Sequence, residues 1–252
     1  MAGTTVLGRL NWQVCDVVDL LQETPTVRSL VLECPDWPGH VAGQHVDVRL
    51  TAEDGYQAER SYSIATPSRA GRIVLTVERL ENGEVSPYLC DELRVGDQLE
   101  LRGPIGGYFV WEPEEQAPVM LFAGGSGIVP LMSMIRKRIQ TGSETPMRLL
   151  LSARFWEEII YRSALESIVR EEEGVEVFQT LTRWHPVGWA GFSRRVDRTM
   201  ITEVGWPPED NPLAFVCGPT GFVEAVANHL VDLGHPAEKI RTERFGPTGG
   251  TL

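Results

Sequence analysis

The hydrophobic pattern of this chain changes character at Glu112-Pro113-Glu114-Glu115-Gln116-Ala117-Pro118, and a single fold type does not accommodate both halves. Upstream, Thr26–Leu32, His45–Leu50, Arg72–Val77 and Asp97–Leu101 alternate at the two-residue period of half-buried strands. Pro38-Gly39, Asp54-Gly55, Ala70-Gly71 and Asn82-Gly83 separate them, as turns separate short strands. Such a series predicts a β-barrel or sandwich. Downstream, Val119–Ala123 is apolar without interruption, as a parallel strand covered on both faces requires. Leu131, Met134, Ile135 and Ile139 then recur at helical spacing. Leu149–Leu151, Val175–Phe178 and Leu213–Val216 read as further strands, and Phe222–Leu233 as a helix burying Phe222, Val223, Val226 and Leu230. Strands alternating with helices predict a parallel sheet wrapped by helices. The polar, proline-bounded segment suits a linker, so residues 1–114 are expected to form a β-barrel or sandwich domain and 115–252 an α/β domain. A chain of 252 residues, 42% hydrophobic, suffices for two ordinary cores.

A formal charge of -12 and a pI near 4.9 argue against nucleic-acid or anionic-membrane partners. A phosphate-bearing ligand must therefore be held by local arginines and backbone N–H groups against an unfavourable overall field. Cys15, Cys34, Cys90 and Cys217 lack the spacing of a zinc or iron–sulfur site, so no metal is expected. A disulfide framework is not expected in a chain of this length, which makes a reducing compartment the default. Met1–Leu10 has no cationic-then-apolar leader and no long apolar run follows, so a soluble, cytoplasmic protein is expected.

Three segments carry candidate chemistry. Gly124-Gly125-Ser126-Gly127 joins a strand to a helix, which places bare N–H groups at a helix N-terminus where a pyrophosphate can approach. Pro130 suits the first helical turn. The same residues also suit a tight turn with no ligand. Cys217-Gly218-Pro219 ends another strand, and the carboxyl ends of parallel strands face the ligand crevice of an open α/β sheet. Its bland alternative is a small buried hydrophobe. On the strand containing Arg60-Ser61-Tyr62-Ser63, alternation sends Arg60 and Tyr62 to one side, a cation for phosphate beside an aromatic plane. Taken by itself, the stretch is better read as an ordinary half-buried tyrosine next to a surface arginine.

Taken in order, Arg60-x-Tyr62-Ser63, Gly103-Pro104-Ile105-Gly106, Gly124-Gly125-x-Gly127-x-x-Pro130, Cys217-Gly218-Pro219 and Glu243-Arg244-Phe245 resemble the ferredoxin–NADP reductase family of flavoproteins. The resemblance covers nearly the whole chain, from about Gly43 to Gly246. It implies a flavin-binding antiparallel barrel followed by an α/β nucleotide domain, with FAD favoured over FMN. It also implies roles for single residues. Arg60 would pair with flavin phosphate, Tyr62 would pack on the flavin, and Ser63 would hydrogen-bond near N5. Gly83 to Ser86 would form a second phosphate segment, with Val85 and Ser86 as donors. Gly124, Gly125 and Gly127 would cradle the nucleotide pyrophosphate, Cys217, Gly218 and Pro219 would lie beside the nicotinamide, and Glu243 would complete a polar cluster with Ser63 and Cys217. Phe245 would cover the flavin's outer face, although here the chain continues to Leu252, a tail whose course the sequence leaves open.

Ser152-Ala153-Arg154 falls where the family reads the adenosine ribose. A fixed cation there favours a 2′-phosphate, hence NADPH over NADH, with Tyr161, Arg162 and Arg183 as assistants. The expected function is a flavin-dependent NAD(P)H oxidoreductase passing electrons to a ferredoxin, another redox protein or an oxygenase component. A free-flavin reductase and an electron-transfer subunit of a larger complex are the competing readings. Arg136-Lys137-Arg138 and Arg194-Arg195 are the candidate basic patches for an acidic partner.

Overall fold

The computed structural model describes residues 10–245. The readings of residues 1–9 and of the tail 246–252 lie outside them. Between residues 112 and 118 the backbone forms neither helix nor strand, and the architecture changes across it.

Ahead of this linker run β1 (Trp12–Thr24), β2 (Val27–Glu33), β3 (His45–Thr51), β4 (Gln57–Ser63), β5 (Arg72–Glu78) and β6 (Gln98–Ile105). They form one antiparallel sheet in the order β4-β3-β6-β1-β2-β5. Ile64 bridges Leu75, and the Ala65 N–H donates to the Val74 carbonyl at 2.8 Å, so the two edge strands meet and the sheet closes on itself. This contact shortens the unpaired edges that would otherwise template aggregation. Leu30, Leu32, Val48, Leu75 and Leu101 fill the interior with no measurable exposure, each contributing about 2 kcal/mol of burial.

Beyond it come β7 (Val119–Gly124), α1 (Ile128–Thr141), β8 (Met147–Phe155), α2 (Arg162–Glu171), β9 (Val175–Trp184), α3 (Arg198–Val204), β10 (Leu213–Pro219), α4 (Thr220–Asp232) and β11 (Ile240–Phe245). All five strands are parallel, in the order β11-β10-β7-β8-β9. Every residue of β7 is buried, as its unbroken apolar run requires. The chain leaves β7 toward β8 on one side and returns to β10 on the other. β7 and β10 therefore flank a topological switch point, where an open α/β sheet leaves a crevice at its carboxyl edge. The two units also touch away from the crevice. Arg241 donates to the Val110 carbonyl at 2.6 Å and the Tyr108 hydroxyl to that of Ile240 at 3.2 Å.

One expectation is overturned. Cys15 and Cys34 form a disulfide. The β1–β2 register sets Asp16 opposite Glu33, which places Cys15 and Cys34 face to face with Cα atoms 4.5 Å apart, both fully buried in the barrel. Pairing across a hairpin joins residues 19 apart in sequence, with no local motif to announce it. The argument for a reducing compartment loses its premise.

A bond closing a loop of this length constrains the unfolded chain. Replacing both Cys15 and Cys34 with Ala should lower unfolding free energy by about 2–4 kcal/mol, read as a lower urea midpoint at unchanged m-value. An unchanged midpoint would mean the two sulfurs are not bonded in solution.

Candidate functional site

The turn after β7 lies directly on the end of β10. A Cβ placed on Gly127 would sit 2.1 Å from the Cys217 carbonyl oxygen, so no other residue fits there without moving the strand. Gly125 has φ of +54°, a left-handed backbone, and a Cβ on it would meet nothing within 4 Å. The turn is thus closed by glycine on its strand side and open on its outer side. From it α1 begins without a side-chain cap and without an acidic residue in its first turn. The Ile128 N–H is taken by the Gly125 and Ser126 carbonyls and Pro130 has none, so this end offers an anion the positive end of the helix dipole beside an open glycine turn. Gly124 is paired with Ser152 of β8, which brings Ser152-Ala153-Arg154 to the same edge.

Glu243 of β11 is the direct register partner of Cys217. Burial pushes the Glu243 carboxyl up to about 7. The Cys217 thiol is raised well above its ordinary range, by burial first and by Glu243 second, while the Gly218 N–H opposes the shift. At neutral pH Cys217 is consequently an uncharged thiol that shapes the crevice, not a nucleophile. Phe245 is opposite Pro219, half-buried against the core that contains Cys217.

The barrel supplies the other wall. Ser63, at the end of β4, is 4% exposed, and its buried hydroxyl has no hydrogen-bond partner among the described residues. An unpaired buried hydroxyl costs free energy unless a ligand atom completes it. Tyr62 is half-buried against the barrel core, and burial raises its phenol far above the ordinary range. Arg60 is exposed and held at 2.7 Å by Glu84, whose other oxygen accepts from the Tyr56 hydroxyl at 2.9 Å. Val85 is fully buried, and the Ser86 oxygen accepts the Leu80 N–H at 3.1 Å. Glu84 lies within the Gly83–Ser86 segment, but its pairing with Arg60 is a contact that the sequence reading missed. Its signal was its place beside Val85 and Ser86, but an anion among phosphate ligands does not declare itself without the fold.

At the ribose end, Arg154 is exposed and chelated by Glu158 through two bonds of 3.0 Å. The Arg162 guanidinium lies 4.9 Å from the Trp156 ring centroid, and Arg183 is exposed at the end of β9. Tyr161 does not join them. It is buried, with its hydroxyl bonded to Thr76 of β5 in the barrel. Nor do Arg136-Lys137-Arg138 form a surface patch. Arg138 is buried and donates to the Thr145 and Glu173 carbonyls, and Arg136 donates to that of Ala65. Arg194 is paired with Asp197 at 2.6 Å, beside an exposed Arg195.

The unpaired Ser63 hydroxyl, the exposed Arg60 and the uncapped, glycine-faced start of α1 fit a flavin and a dinucleotide. Comparison with known proteins agrees. Residues 19–110 match the oxidoreductase FAD-binding domain, and residues 121–228 the oxidoreductase NAD-binding domain. A ferredoxin–NADP reductase B of Sorangium cellulosum is 34% identical over 230 residues, covering 88% of this chain and 93% of that protein. A glycine betaine monooxygenase reductase subunit of Chromohalobacter salexigens is 32% identical over 237 residues, 92% of this chain but only 63% of the longer relative. The FAD/NAD-binding domain of nitric oxide dioxygenase from Vibrio cholerae shares the fold at a TM-score of 0.83 and 24% identity, over 93% of this chain and 99% of that one. This chain belongs to the ferredoxin reductase-like family of flavoproteins, and is an oxidoreductase that binds FAD and a pyridine nucleotide and transfers electrons between NAD(P)H and flavin.

Proposed function

We propose that this protein oxidises NADPH and delivers the electrons to a ferredoxin or a comparable redox-protein component of an oxygenase. The observation that carries the site assignment is the buried, partnerless hydroxyl of Ser63 on the barrel wall, together with the Cys217–Glu243 pair on the opposite unit. The acceptor assignment is supported by what relatives are named for, a ferredoxin–NADP reductase and an oxygenase reductase subunit. On the same reading residues 1–114 form the flavin domain and 115–252 the nucleotide domain.

Bound FAD supplies the conversion between hydride uptake from a nicotinamide and release of single electrons. The chain's residues position and tune. Ser63 donates a hydrogen bond toward flavin N5, Tyr62 packs on the flavin, and Arg60 holds its phosphate with the backbone donors of Val85 and Ser86. Gly124, Gly125 and Gly127 let the nucleotide pyrophosphate approach the start of α1. Cys217, Gly218 and Pro219 form the wall against the nicotinamide, with the thiol kept neutral by burial. Glu243, pushed up to about 7, holds a proton at the crevice around neutral pH and is a reservoir for the proton balance there. Phe245 covers the outer face. Ser152, Arg154, Arg162 and Arg183 meet the adenosine ribose and its 2′-phosphate. An exposed ion pair such as Arg154–Glu158 is worth only about 0–1 kcal/mol, and a phosphate dianion displaces the carboxylate.

A second reading, a reductase of exchangeable free flavin, is favoured by Glu84. Its carboxylate occupies the guanidinium that is to hold the flavin phosphate.

Steady-state oxidation of NADPH and NADH, with ferricyanide and ferredoxins as acceptors, tests the assignment. Arg154→Ala should raise KM for NADPH by about tenfold or more and leave that for NADH unchanged. An equal effect on both nucleotides removes the NADPH assignment. Glu84→Gln should tighten FAD binding to the apoprotein by up to about fivefold at low salt, read from flavin fluorescence quenching. Unchanged affinity would show that Glu84 does not compete with the phosphate.

Glu243 makes stability depend on pH. Its folded value, about 7, lies above the ordinary 4.5, so the folded state holds the proton more tightly than the unfolded chain. Stability therefore falls as pH rises from about 4.5 to about 7 and is lower by a constant amount above that window. The loss is on the order of 2–3 kcal/mol after allowing for partial exposure. Glu243→Gln should flatten urea midpoints across this window. The same slope in the variant would assign the proton to another group.

A further inference from the structure

Tyr161 is the most constrained side chain that the proposed chemistry leaves unused. It stands at the start of α2 with φ of +60°, one of two non-glycine residues in the left-handed region among the described residues. It is 3% exposed and its hydroxyl donates to Thr76 Oγ1 on β5, across the seam between the units. Thr76 and Ser29 hydroxyls are 2.8 Å apart, and Ser29 donates to Glu23 at 2.6 Å. Because the Ser29 proton goes to the carboxylate, Thr76 must donate to Ser29, which leaves its own lone pair for Tyr161. The direction of the whole relay, Tyr161 to Thr76 to Ser29 to Glu23, is fixed.

The ring of Tyr161 is held as well. The Arg136 guanidinium of α1 lies 4.7 Å from its centroid and donates to the Ala65 carbonyl at 2.7 Å. One turn earlier on α1, the fully buried Ser133 donates to the Thr66 carbonyl at 2.9 Å. Ala65 in turn donates to Val74, two residues before Thr76 on β5. The three residues after Ser63 are thus clamped between β5 and α1, and the same helix starts at the glycine turn that lies on Cys217.

We infer that Tyr161, with Arg136, is a positioning residue for hydride transfer: an interdomain latch that fixes the barrel wall at Ser63 relative to the nucleotide wall at Cys217 and Glu243. The inference rests on the flavin and nicotinamide assignment above. Hydride transfer is steep in donor–acceptor distance, and a misplacement of about 1 Å from a remote change can cost about a hundredfold. Tyr161 touches neither proposed ligand, so its contribution falls on the rate of the chemical step and not on nucleotide affinity.

Tyr161→Phe keeps the ring under Arg136 and removes the bond to Thr76. Thr76→Val removes the same bond from the barrel side and serves if the first variant folds poorly. With the FAD-loaded full chain in anaerobic stopped flow, each should slow flavin reduction by about tenfold at unchanged nucleotide affinity, and weaken the nicotinamide–flavin charge-transfer absorbance. The double variant should be no slower than Thr76→Val alone, because that change already removes the Tyr161–Thr76 bond together with the Thr76–Ser29 one. Hydrogen exchange at the Ala65 amide should accelerate in both variants without any nucleotide present. Wild-type reduction rate and exchange in a folded variant would overturn the latch alone, as would a rate loss that disappears at a temperature where the variant is fully folded. If the unsubstituted chain reduces no flavin with either nucleotide, the functional reading falls and takes the latch with it.

Discussion

The approach of Gly127 to the carbonyl of Cys217 governs the nucleotide side of this protein. A strand end and a helix start pack there at a distance that leaves no room for a single methyl group. Because β7 and β10 are neighbours in the parallel sheet, their two loops would collide unless one of them lacked side chains at the contact. Glycine resolves the collision and leaves the helix N-terminus facing outward. The place of Cys217 at the crevice follows from this contact, while the β10–β11 register sets Glu243 opposite it and burial raises both groups. The barrel could be rebuilt in many ways without touching it.

Much of this was legible in the sequence because it depends on short-range pattern. The unbroken apolar run of β7 and the alternation of β2, β3 and β5 report burial on two faces and on one. Placing Gly124–Gly127 and Cys217–Pro219 at the carboxyl ends of strands put both on one crevice, while the strand order that makes it a switch point came only with the fold. β1 was not legible. Register shifts between Val17 and Asp19 and between Gln22 and Thr24 interrupt its alternation, and a bulged strand loses the period that identifies it.

The candidate site divides in the same way. Arg60, Ser63 and Cys217 announce themselves by residue type and local motif, whereas their partners do not. Glu84 reaches Arg60 over 24 positions, and Tyr161 reaches Thr76 over 85. The run Arg136-Lys137-Arg138 shows why charge alone misleads. Helical geometry turns Arg138 into the protein, where it satisfies the Thr145 and Glu173 carbonyls in the loops ahead of β8 and β9, and turns Arg136 toward the barrel. A sequence lists three cations, but the fold leaves little of them for a partner.

The Cys15–Cys34 bridge has a bearing on what the chain can report about its surroundings. Exchange with an external thiol needs in-line access to one of the sulfurs, and both lie in the closed interior of a barrel whose edges are joined. Small reductants and oxidants reach them only when β1 and β2 separate. The bond therefore keeps the state it had when the sheet shut. It is a record of where the polypeptide folded, and it does not track the conditions under which the folded protein later works.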